Sequence, residues 1–295
     1  MSSGRTVPQE LGVGEVISKT FDLYRRNFVK YFVLFLVVEA IVGLVSAWAY
    51  HTFPLPTLSS QPTTQQVLDW MPGYFSSLLS IIAVVAVVTL VLGPIAAAGA
   101  IKMASEEIEG RPVELGAAVK FAASKLIWLW ALGILVGIIV GVGFILLVVP
   151  GIILLIMFGL TFPVLIIENV GVLGSLGRSR ELVSHRWLKT FAVMLVWFII
   201  LAVIGIIVGL IASPFGWASS LVSDILGAFY APLIPITLTV YFYSNLARIT
   251  PAPTGPMPTG QTAMASPGMK FCPNCGTQLL SSATFCSKCG AKQPM

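Results

Sequence analysis

The sequence predicts an all-α polytopic membrane protein: six transmembrane helices paired as three hairpins, with interfacial amphipathic helices and a small C-terminal four-cysteine zinc ribbon. Three observations predict it. Of 295 residues, 57% are hydrophobic and 10% charged, and mean hydropathy is +0.93. An ordinary soluble domain carries about 25% charged residues, and no soluble core of this length hides so much apolar surface. Apolar runs of about twenty residues, the length a helix needs to cross roughly 30 Å of hydrocarbon, recur along the chain. All four cysteines follow residue 270 and stand as two Cys-x-x-Cys pairs.

The most apolar stretch is residues 128–167, which hold no charged side chain and one turn signal, Val149-Pro150-Gly151. It reads as two spans joined tightly, so Lys125 and Glu168 lie on the same side of the bilayer. Upstream, residues 12–27 place Val13, Ile17, Phe21 and Tyr24 at helical spacing and Lys19, Asp22 and Arg26 on another face, a helix lying along the membrane surface. The first span follows over about 28–50. Residues 51–75 contain Pro54, Pro56, Pro62 and Pro72 and no Lys or Arg, the signature of an external loop. The second span, about 75–103, is expected to bend at Gly93-Pro94, because proline removes a backbone donor and crowds the preceding turn. A short helix near 115–124 leads into the central hairpin. Residues 173–189 form another amphipathic segment, with Leu176, Val183 and Trp187 opposite Arg178, Glu181 and His185. The fifth span is about 187–212 and the sixth about 221–246, with Pro232 and Pro235 inside it.

The basic residues set the orientation. With six spans and both termini cytoplasmic, all seventeen Lys and Arg side chains fall on the cytoplasmic side, as the positive-inside rule requires of a multi-pass cell-membrane protein. A formal charge of +5 therefore points to the lipid bilayer and argues against nucleic acid. A shift of 159 residues pairs Lys19 with Arg178, Thr20 with Ser179, Asp22 with Glu181, Leu23 with Leu182 and Lys30 with Lys189, and Pro94, Pro163 and Pro232 stand 69 residues apart. The middle hairpin matches much less well, so the hairpins read either as a parallel internal repeat or as apolar segments alike by composition, with a helix bend expected at each of these prolines.

The chain divides into a membrane domain, 1–249, a Pro/Gly/Ser/Thr linker, 250–269, and the ribbon, 270–292. The linker composition is that of a disordered tether, reaching roughly 25 Å. In the ribbon, Cys272 and Cys275, then Cys286 and Cys289, supply four thiolates for a tetrahedral structural Zn2+, and a closed coordination sphere leaves no position for a substrate. So short a segment depends on the metal to fold and is suited to binding a protein partner.

Other candidate residues lie in the membrane. Glu39, near the middle of the first span, is an ionisable group at costly depth: either a candidate for proton or ion handling, or a protonated acid hydrogen-bonded within the bundle to a hydroxyl such as Thr89 or Thr237. Gly133, Gly137 and Gly141, and Gly205 and Gly209, recur every four residues, the spacing that lets membrane helices pack closely. Catalytic constellations are missing from the sequence. His51 is external and His185 cytoplasmic, and there is no phosphate loop, no G-x-S-x-G elbow and no H-E-x-x-H. The acidic run Glu106, Glu107 and Glu109 reads as a solvated helix end. The chain is expected to have no enzymatic activity, and the sequence identifies no small-molecule substrate.

Gly14 to Ile17, Tyr24 to Phe28, Val149-Pro150-Gly151, Pro163 to Glu168, Ser175 to Leu182 and Trp187 together resemble the membrane domain of glycerophosphodiester phosphodiesterases. The resemblance covers about residues 10–249 and implies a helical membrane domain. In that family hydrolysis belongs to an appended soluble barrel with paired catalytic histidines and acidic metal ligands. This chain carries a ribbon in its place, so the resemblance implies the membrane part without the hydrolase. A transporter or lipid-handling protein using Glu39 and the proline-bent helices is the alternative to an anchor or scaffold.

Overall fold

The computed structural model describes residues 10–249, 269–271, 278–280 and 283–285. The chain forms two compact units, Met1–Pro251 and Ala252–Met295. Among the described residues the first contains helices and no strand: α1 (Val13–Arg26), α2 (Phe28–Thr52), α3 (Thr64–Ile108), α4 (Leu115–Ser124), α5 (Leu126–Leu146), α6 (Val148–Met157), α7 (Thr161–Ile167), α8 (Gly171–Val183), α9 (Trp187–Ala212), α10 (Ser219–Gly227) and α11 (Leu233–Ile249). Among the described residues, five helical stretches are long and apolar enough to cross a membrane: α2, α3, α5, Val148–Ile167 and Trp187–Gly216.

Local chemistry explains the helix ends. At α1, Glu15 reaches back to accept from the Gly12 N–H at 2.5 Å, and Val16, Thr20 and Leu23 form its buried stripe. At α3, Thr63 and Gln66 satisfy each other's backbone N–H groups at 2.9 and 3.3 Å, a reciprocal cap. The α5–α6 reversal differs from the expected turn at Val149-Pro150-Gly151. A single extended residue, Leu147, turns the chain, and Pro150 sits in the first turn of α6, where no helical N–H is needed. So tight a reversal requires bare backbone. A Cβ placed on Gly143 would lie 3.0 Å from the Gly151 Cα.

The predicted sixth span is not one helix. It is α10 and α11, separated by residues 228–232. Pro232 carries no N–H and disfavours helical geometry in the residue before it, so the chain turns there and restarts, and Pro235 falls within the first turn of α11. Proline acts differently in the other two returning segments. Pro163 lies in the first turn of α7, after a break at Phe158–Leu160, whereas α3 continues through Pro94.

At Pro94 the missing N–H orphans the Leu90 carbonyl four residues back, and the indole Nε1 of Trp130 on α5 donates to that oxygen at 2.6 Å. Trp130→Phe keeps most of the ring and removes the donor. It is expected to lower the unfolding free energy of the detergent-solubilised chain by about 1 kcal/mol; unchanged melting relative to wild type would remove the indole's role.

At the Phe158–Leu160 break, Ser179 of α8 serves both exposed backbone groups. Its Oγ accepts from the Leu160 N–H at 3.2 Å and donates to the Met157 carbonyl at 2.9 Å. Ser179 and Leu160 are both fully buried.

The core surrounds α11. Eleven of its residues, from Leu233 to Asn245, are buried, on every face of the helix. It packs against α1, α3, α7 and α8, and polar ties fix it in place. Tyr241 shares a hydrogen bond with Thr190 at 2.8 Å, Tyr243 shares one with Ser105 at 2.8 Å and donates to Glu109, and Ser244 accepts from the Leu11 N–H at 2.8 Å. Away from this core, Leu79, Ile82 and Val87 of α3, Ile134 and Ile145 of α5, and Phe198, Ile206 and Leu210 of α9 are exposed. In a spanning helix such side chains face lipid. In the second unit, β1 (Met269–Phe271) pairs antiparallel with β2 (Gln278–Leu280), Met269 opposite Leu280.

Candidate functional site

Glu39 lies midway along α2, on the side that meets α10. The two helices approach so closely at Gly43 that a Cβ there would stand 2.9 Å from the Leu221 Cδ1, 3.2 Å from the Leu221 Cα and 3.2 Å from an Asp224 carboxylate oxygen. One turn away, a Cβ on Gly227 would lie 3.9 Å from both the Glu39 carboxyl carbon and the Tyr230 hydroxyl. Two small residues thus bring two carboxyl groups and a phenol to one seam, all three half-buried. Ser220, one turn before Asp224, adds a buried hydroxyl with no hydrogen-bond partner among the described residues.

No ion pair among the described residues reaches either acid. The expected hydroxyl partners of Glu39 are engaged or placed elsewhere: Thr237 donates back to the Leu233 carbonyl at 2.7 Å, and Thr89 lies exposed on α3. Two carboxyl groups facing each other in an apolar wall repel when both are charged, so the arrangement can hold a proton or a small cation. Asp224 is the residue that sequence reasoning missed. The signal was present, since Glu39 and Asp224 are the two acids that fall inside the predicted spans.

The glycine rows do not pack helices together within this chain. A Cβ on Gly137, Gly141, Gly205 or Gly209 would meet nothing within 4 Å, and one on Gly133 only the Phe162 Cζ at 3.8 Å. Gly133, Gly137 and Gly141 instead line an apolar cavity of about 680 Å³ between α5, α6, α9 and α11, held open by Phe144, Phe158, Trp197 and Phe198. Trp197 and Phe198 of α9, together with Phe158 after α6, keep backbone away from the row that the small residues leave bare.

The acidic run at the end of α3 is not simply solvated. Glu107 accepts from Asn27 Nδ2 at 2.9 Å, Glu106 pairs with Lys102 at 3.4 Å, and Glu109 is held by Arg111 and Tyr243. Among the described residues, no group of three or more His, Cys, Asp or Glu side chains could hold a metal ion. Cys272, Cys275, Cys286 and Cys289 lie outside the described residues, as does the linker expected over 250–269 apart from its last residue. The first cysteine pair falls in sequence between β1 and β2, and four thiolates in two Cys-x-x-Cys pairs are the donor set of a structural zinc site.

A family model described as zinc-ribbon domain matches residues 271–293. A second, described as an uncharacterised protein family, UPF0259, matches residues 14–246. No curated protein and no solved structure matches the chain. Neither family match carries a link to glycerophosphodiester phosphodiesterases. With an apolar helical unit matched over most of its length and a zinc-ribbon match behind it, the chain belongs to the uncharacterised protein family UPF0259.

Proposed function

We propose that the chain is a non-enzymatic membrane anchor whose zinc ribbon recruits a protein partner on the cytoplasmic side. One observation carries this reading: a helical unit with five membrane-length apolar stretches precedes a zinc-ribbon match in the same chain. Cys272, Cys275, Cys286 and Cys289 hold one Zn2+, whose chemistry is structural because four thiolates fill its coordination sphere. The α10–α11 segment supplies the sixth crossing and returns the C-terminal ribbon to the side of the N-terminus. Proximity labelling in native membranes tests the reading by comparing the intact chain with a Cys272→Ser/Cys275→Ser form. A set of labelled proteins lost with the cysteines supports recruitment by the ribbon; an unchanged set overturns it.

A second reading rests on the Glu39–Asp224 seam, which fits proton-coupled or cation-coupled transport. Glu39→Gln and Asp224→Asn would then each abolish flux in liposomes while ribbon deletion leaves it intact. Flux that survives both acid variants removes this reading.

A further inference from the structure

The charges around the α8–α9 turn pair off unevenly. Arg178 bonds Glu168 at 3.0 Å and Glu181 at 2.7 Å. Arg186 and Lys189 both bond Glu10, at 2.8 and 2.5 Å. Their hydrogen bonds hold the Glu10 carboxyl down to about 2, so at neutral pH that acid is ionised and committed to them. Arg180 and His185 have no acidic partner among the described residues, and both border one recess of about 310 Å³. Its opposite wall is Ile153, Ile156 and Met157 of α6, and Trp187 stands at its rim, 54% exposed.

The turn that presents these groups is fixed from behind. His185 adopts φ 63°, the left-handed region that a non-glycine residue enters only when its surroundings hold it there. Arg248 of α11 supplies part of that hold, donating to the Leu182 carbonyl at 3.1 Å and the Ser184 carbonyl at 3.2 Å. The N-terminus of α9, a helix of 26 residues, begins beside the recess and adds its partial positive charge.

We propose that this recess binds an anionic phospholipid of the surrounding leaflet, its phosphate on Arg180 and His185 and the start of its acyl chain along α6. Charge complementarity and position identify the occupant. The unpaired cation asks for an anion, and the facing wall belongs to a membrane-length stretch, Val148–Ile167, with Ile153 partly open to lipid. A free phosphate would leave that apolar wall wet. A zwitterionic lipid would leave the guanidinium charge uncompensated. Trp187 at the rim matches the preference of indole for the headgroup level.

The test uses the full chain reconstituted in vesicles of mixed phosphatidylcholine and phosphatidylglycerol, then released and analysed by native mass spectrometry for retained lipid. Wild type is expected to retain phosphatidylglycerol in preference. Arg180→Gln should lower that preference about fivefold, the effect of one basic residue near an anionic surface, and Arg180→Lys should restore most of it. His185→Gln reports on the same recess from a second position and should also lower it, while Arg25→Gln on α1 should leave it unchanged. Equal retention of both lipids by wild type, a wild-type preference in Arg180→Gln and His185→Gln, or displacement of phosphatidylglycerol by inorganic phosphate would each overturn the proposal.

Discussion

Chelation of zinc from the intact chain is expected to unfold residues 271–293 and to leave the melting of the helical unit unchanged. The larger apolar side chains in that segment are Phe271, Leu279, Leu280 and Phe285, far too few for a core of its own. Structural zinc contributes about 10–16 kcal/mol in comparable small modules, as much as the whole stability of an ordinary domain. Cys272→Ser should therefore mimic full chelation rather than remove a quarter of the effect. Hydrogen exchange across 271–293 with and without chelator, together with one bound zinc per chain, checks this. Equal protection without metal would show that the segment folds by other means.

The second large effect is expected at Ser179. Replacing it with alanine leaves the Met157 carbonyl and the Leu160 N–H without partners at a break where Leu160 is fully buried and Met157 partly so. Each orphaned group costs about 1–3 kcal/mol in proteins generally, and measured values in membrane bundles fall toward the lower end. A total loss of about 2 kcal/mol is expected, enough to lower the melting temperature in detergent by several degrees. Thr20→Ala is the natural comparison, because Thr20 aligns with Ser179 under the 159-residue shift and is also fully buried. Its hydroxyl only back-bonds the Val16 carbonyl within α1 at 2.8 Å, so its loss should be much milder. Equal destabilisation in the two variants would show that bridging the break is not what Ser179 contributes.

The helical, membrane-spanning character of the first unit was legible because transfer free energy sums along a run of side chains, and α2, α3, α5 and α9 are runs of that kind. The buried stripe of α1 was not read correctly: the expected face of Val13, Ile17, Phe21 and Tyr24 is partly buried or, at Phe21, exposed, and Val16, Thr20 and Leu23 beside it are the residues that meet the core. What hydropathy does not record is the state of individual backbone groups. The division of the sixth span into α10 and α11 turns on one absent N–H at Pro232, in a segment whose composition still reads as a span. The partnership of Trp130 with Leu90 needs the knowledge that Pro94 orphans that carbonyl and that α5 passes beside it.

Tertiary approach was equally hidden. The four-residue spacing of Gly133, Gly137 and Gly141 is the same whether a neighbour closes on it or large rings hold the neighbour off. Close approach occurs instead at Gly43, which has no glycine four positions away on either side, only Glu39 before it and Ala47 after it. Half of the carboxyl pair was visible in the sequence as Glu39. The other half required knowing that α10 lies against α2.

The position of α11 bears on how the molecule is made. Helices emerge from the ribosome in order, and α11, which packs against α1, α3, α7 and α8, is made after all four. Until residues 233–245 are synthesised, Tyr31, Ile108, Leu160 and Leu182 have no centre to close on, and Thr190 and Ser105 have no tyrosine hydroxyl to bond. Completion of the bundle therefore coincides with the appearance of the next segment of chain, the one that leads to the four cysteines. The four cysteines are thus synthesised only after residues 233–245, the helix on which the body before them closes.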